Sequence, residues 1–152
     1  MAKRDNPNYL KNLAKRLESS EAQVGFFESA RYPDGTPVAY VAAIQEYGYP
    51  EGGIPPRSFM RSTIDERAKP WSKVVANGAK SVIQGNKEIA DIMETIGLIA
   101  SGDMRKKISK ITQPPLKEST IKNRRRKGNN SVKPLVDERI LLPSLTHVVI
   151  KK

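Results

Sequence analysis

The 152 residues carry a formal charge of +11, an apolar fraction of 38% and no cysteine. That length accommodates one domain with its own core, while the missing cysteines exclude a disulfide framework and a thiolate metal site. No apolar run approaches a membrane span, and Met1-Ala2-Lys3-Arg4-Asp5 leads into no apolar leader segment, so the expectation is a soluble chain folded in a cytoplasm.

The first element is a short amphipathic helix. Asn6 is its N-cap and Pro7 its first residue, with Leu10, Leu13, Ala14 and Leu17 at three- and four-residue spacing. Ser19 and Ser20 end it. Ala22 to Glu28 alternates as a strand, with Val24 and Phe26 on one side until Phe27 breaks the pattern. Tyr32-Pro33-Asp34-Gly35-Thr36-Pro37 is a turn by composition, and it feeds an alanine-rich helix from Val38 to Tyr47. Gly48 stands where that helix needs a residue of positive φ to close. Pro55 and Pro56 then favour an extended, stiff strut between Ile54 and Phe59, and a stiff loop loses little entropy on docking.

Phe59, Met60, Thr63 and Ile64 restart a helical pattern that Trp71, Val74, Val75 and Ala79 continue, with Pro70 as a kink or break. After Gln84-Gly85-Asn86 comes the longest periodic run: Ile89, Ile92, Met93, Ile96, Ile99, Ala100, Met104, Ile108 and Ile111 share one face, and Lys87 and Asp91 are spaced as an ion pair. Gly97 and Gly102 inside it point to a close approach or a bend. Pro114-Pro115 stops this helix. Leu116 to Lys127 reads as a further short helix, Gly128-Asn129-Asn130-Ser131 as a turn, and Leu145 to Ile150 as a terminal strand. The expected class is α+β: a short N-terminal helix, a small antiparallel sheet, one long amphipathic helix packed on it and a C-terminal strand. Residues 1–152 are expected to form a single domain, with a mobile basic loop region at about 112–134.

The order of several segments resembles the tail-completion and neck proteins of tailed bacteriophages. They are Gln45-Glu46-Tyr47-Gly48, Ile54-Pro55-Pro56-Arg57-Ser58-Phe59-Met60-Arg61, Ile64-Asp65-Glu66 with Trp71, Pro115-Leu116 followed by Thr120-Ile121, Pro134-Leu135-Val136-Asp137, and Ser144 to Val149. Ser58 stands where that family's loop has a second proline, and Glu138-Arg139 where it commonly has Thr-Gly before the last segments. The resemblance implies a virion subunit at the head-tail junction, joining a DNA-filled head to a tail. It also implies a ring of identical copies, contacts with neighbouring neck, connector or tail-tube proteins, and non-specific contact with packaged DNA.

Chemistry reads more faintly than assembly. His147, the one histidine, lies in the terminal strand with no nucleophile or carboxylate beside it in sequence, which suits packing or an interface. There is no phosphate-binding glycine loop, and the adjacent pairs Asp65-Glu66 and Asp137-Glu138 do not face a common metal. No enzyme, cofactor or metal is expected. The chemical signal is charge. Residues 1–100 hold 13 basic against 12 acidic groups, whereas residues 101–133 hold 11 against 2. Such a regional excess seeks a polyanion, DNA phosphate or an acidic protein rim, when it is more than a solvated face. The candidate contacts are Arg105, Lys106, Lys107, Lys110, Lys122, Arg124, Arg125, Arg126 and Lys127. No aromatic residue interleaves with them, so contact would be to phosphate and blind to sequence. The candidate partner interface is Tyr47, Ile54, Pro55, Pro56, Arg57, Phe59 and Arg61, with the apolar ends buried and the two arginines projecting.

Overall fold

A computed structural model describes residues 6–135 and 140–152. The Asn6 side chain accepts the Asn8 N–H at 2.9 Å, and with Pro7 in the first turn it starts helix α1 (Pro7–Glu18). Strand β1 (Ser20–Phe26) follows directly. It begins and ends two residues earlier than its alternation suggests, because its partner sets its extent. That partner is β2 (Leu145–Lys151), which completes a two-stranded antiparallel sheet. The Lys152 N–H reaches the Ser19 carbonyl at 2.8 Å, so pairing extends back to the end of α1.

Between the strands lie α2 (Val38–Tyr47), α3 (Met60–Ile83), α4 (Ile89–Lys110), α5 (Glu118–Arg126) and the single turn α6 (Leu141–Ser144). The α+β architecture is as expected, but α3, at 24 residues, is longer than the 22-residue α4. Pro70 does not break α3. Pro70 and Glu66 are both exposed, where water can satisfy the carbonyl that a proline leaves unbonded. The spaced pair Lys87 and Asp91 is not helical, since α4 starts after Lys87; the Asp91 carboxylate instead accepts the Glu88 N–H at 3.3 Å. Residues 112–134 include α5. Val136, Asp137 and the Glu138-Arg139 departure lie outside the described residues, as do Met1 to Asp5.

The chain gathers into two compact units, each discontinuous in sequence. The first takes the described residues of Met1–Val24, Arg67–Ala100 and His147–Lys152, the second those of Gly25–Glu66 and Ser101–Thr146. In the first, Val82, Ile89 and Ile92 form a core against which Leu17 and Met93 pack. Here Gly97 answers the question its position in α4 raises, because the His147 ring of β2 lies on it. A Cβ at Gly97 would meet His147 Cδ2 at 2.5 Å. In the second unit the fully buried side chains include Val38, Phe59, Ile108 and Leu145, and the Phe26 ring meets Phe59 edge-on at 6.1 Å. The Ile and Met stripe of α4 is thus largely core, with Ile89, Ile92, Met104 and Ile108 all buried.

Candidate functional site

The second unit is organised around a carboxylate. Glu46, in the last turn of α2, is 3% exposed and directs its side chain at the start of α3. It accepts the backbone N–H groups of Phe59 at 2.7 Å, Met60 at 2.9 Å and Arg61 at 3.1 Å, together with the Ser58 hydroxyl at 2.7 Å and Arg61 Nε at 3.0 Å. The first N–H groups of a helix have no partner within it, so Glu46 serves as a cap supplied by another element. Burial alone would raise its pKa. The bonds from Met60, Ser58 and Arg61 outweigh that and pull it down to about 2. Ser58 supplies one of these donors.

The loop joining α2 to α3 is held along its length. Gly48 has φ 80° and ψ 170°, a region essentially confined to glycine, and a Cβ there would meet the Pro56 nitrogen at 2.9 Å. Tyr49 and Ile54 then exchange backbone hydrogen bonds of 2.8 and 2.9 Å, so the loop's first half is a tight hairpin and only its second half is extended. The Arg57 N–H bonds the Gln45 carbonyl at 2.7 Å. Its side chain turns inward, contrary to the expectation that it projects. It is 4% exposed and donates to the carbonyls of Pro114 at 2.7 Å and Pro115 at 3.0 Å and to Gln45 Oε1 at 3.1 Å. The Pro114-Pro115 segment offers carbonyls that no helix uses, and a guanidinium is the side chain that spans several such acceptors. Burial, reinforced by the nearby charge of Arg124, lowers the Arg57 pKa.

Against this loop lies a cleft of about 660 Å³. Among the described residues its cations are Arg57, Lys117, Arg124 and Lys127, and its carboxylate is Asp34. Its apolar wall is Val41, Ile54, Pro55, Leu116, Leu135 and Leu141. The Thr36 backbone N–H, 2.9 Å from Asp34 Oδ1, and the Thr36 hydroxyl hold Asp34 below its ordinary pKa, with a smaller effect from Lys127. Two regions that read separately in sequence, the proline loop and the basic segment, therefore meet at one surface.

Within the candidate interface, Phe59 is fully buried, Ile54 and Pro55 are half-buried, and Tyr47 and Pro56 are exposed. Arg61 keeps about half its side-chain surface, but it also bonds the Glu46 carbonyl at 3.0 Å and lies 4.5 Å from the centre of the Tyr47 ring. Of the candidate polyanion contacts, Lys106, Lys110, Lys122, Arg125, Arg126 and Lys127 are exposed. Three are engaged internally: Arg105 donates to the Leu145 carbonyl, Lys107 pairs with Glu66, and Arg124 is buried against the carbonyls of Ser131 and Lys133. Arg124 turns in because the segment after the Gly128 turn presents the Ser131 and Lys133 carbonyls to its guanidinium. His147 does have a carboxylate beside it in space, Glu94 at 2.8 Å, contrary to its sequence surroundings.

Glu46 itself was legible only indirectly: an acid in the last turn of a helix opposes the helix dipole, a sign that its charge is used elsewhere. Comparison with protein-family models, with curated proteins and with solved structures finds no match. No helix among the described residues is long and apolar enough to cross a membrane.

Proposed function

We propose that the chain is a structural virion protein of a tailed bacteriophage. It is a neck or tail-completion component at the head-tail junction that joins the DNA-filled head to the tail by oligomeric assembly, without turnover. The resemblance of its segments supplies the class, and one observation carries the mode of action. The Tyr47–Arg61 segment is pinned from beneath by Glu46 and Arg57 while Tyr47, Tyr49 and Pro56 stay on the surface, and a further exposed aromatic, Tyr40, lies two turns before Tyr47 on α2. Amphipathic aromatic rings on a pre-ordered support are the usual anchors of protein interfaces. The partners are further copies of the chain and adjacent neck, connector or tail-tube proteins.

Genetic complementation tests this. Loss of the gene should leave filled heads and separate tails, and the double variant Tyr40→Glu, Tyr47→Glu should fail to restore joined particles while remaining folded. Joined, infectious particles in the absence of the protein would refute the reading.

A second reading is favoured by the exposed cations on α5 and at the end of α4. Lys106, Lys110, Lys122, Arg125, Arg126 and Lys127 form a sequence-blind contact for duplex phosphates. It is compatible with the first reading in a channel that holds DNA, and separable from it in solution.

A further inference from the structure

We infer that the cleft between the Tyr49–Ile54 hairpin and α5 is a docking site for an extended peptide segment that alternates acidic and apolar side chains. The assignment stands whether or not the chain belongs to a virion.

Charge selects the sign of the ligand. Among the described residues four cations line the cleft against one carboxylate, Asp34, and that carboxylate is already committed to its own turn through Thr36. Arg57 is nearly excluded from water, and among the described residues its guanidinium bonds only neutral acceptors, two carbonyls and an amide. A buried cation among neutral acceptors, with a second cation near enough to repel it, is relieved by an incoming anion. The first turn of α5 adds to this. Ser119 and Thr120 line the cleft, and the N-cap residue Lys117 makes no side-chain cap bond, so the positive end of the helix lies at the same place.

The apolar wall selects the rest of the ligand. Val41, Ile54, Pro55 and Leu116 offer nothing to a bare inorganic anion but bury aliphatic side chains. A volume of about 660 Å³ admits a few extended residues and is too small for a duplex. Among the described residues Tyr32 is the one aromatic in the lining, so a run of stacked bases finds no platform. Gly53 marks the entrance. It has φ 61°, and the Lys117 amine lies so close that a Cβ there would collide with it, which brings a cation directly onto the hairpin backbone.

The test is binding of a terminally blocked, fluorescent peptide alternating aspartate and leucine to the full chain, with amide shifts followed at Gly53 and Thr120. Binding should shift both amides. It should weaken about tenfold or more in the double variant Lys117→Glu, Lys127→Glu and persist in the equally charge-reversed control Lys106→Glu, Lys110→Glu. A matching peptide of aspartate and serine should bind about tenfold more weakly. No binding of the leucine peptide would overturn the inference. So would equal binding of the serine peptide, equal loss in the control variant, or displacement from the two amides by pyrophosphate or a short duplex.

Discussion

Glu46 is a stability element whose contribution depends on pH. Its pKa is about 2 in the folded chain against 4.5 for the free side chain, so its ionised form is the one that folding favours. A shift of that size corresponds to roughly 3 kcal/mol. The contribution is fully present above the unfolded value of 4.5 and is lost as pH falls toward about 2. Glu46→Gln should therefore cost on the order of 3 kcal/mol at neutral pH, and urea unfolding should show the gap to the parent protein closing through the acid range. A constant gap would mean that shape rather than charge is what the position requires. The arginines offer a second contrast, also read by urea unfolding. Arg57→Ala, which strands two carbonyls and an amide oxygen, should cost about 3 kcal/mol or more, and Arg61→Ala, half exposed, about 1 kcal/mol or less. Nothing in the local sequence separates these two arginines. Their difference arises from the Pro114-Pro115 carbonyls, 57 and 58 residues away in the chain.

At the scale of elements, the glycines of α4 are separable by what faces them. Gly97 lies under the His147 ring, whereas nothing stands within 4 Å of a Cβ at Gly102. Gly97→Ala should destabilise by about 1–3 kcal/mol in spite of its better helix propensity, and Gly102→Ala should stabilise by about 0.5–1 kcal/mol. Thermal or urea unfolding of the two variants decides this, and the same sign in both would contradict the packing described for β2 on α4. The elements with strong local signals were readable from the chain: the Asn6-Pro7 start, the Val38 to Tyr47 helix ending at Gly48, the α4 stripe and the terminal strand. Less legible were features set by partners distant in sequence. The start of β1 depends on Lys152, the continuity of α3 through Pro70 depends on exposure, and the inward turn of Arg57 and Arg124 depends on carbonyls that no periodicity reveals.

For the whole molecule, the distribution of charge is now narrower than its sequence. Of the nine basic candidates, six are exposed and three are bonded within the fold. A variant meant to test DNA contact should therefore spare Arg124, whose reversal would bury an unpaired acid, and should carry Arg125→Glu, Arg126→Glu and Lys122→Glu. If the second reading holds, duplex affinity in this variant falls and the slope of affinity against salt shallows by about one per phosphate contact removed, with the melting temperature little changed. Unchanged binding would exclude that face. The assembly proposal rests on a different surface, the aromatic face carried by the pinned loop, and the two are judged by where the protein resides. The most direct measurement is electron microscopy of particles from the producing host, with the protein tagged and gold-labelled. Label concentrated where head meets tail is the predicted result, and label absent from particles but present on intracellular DNA would contradict the account.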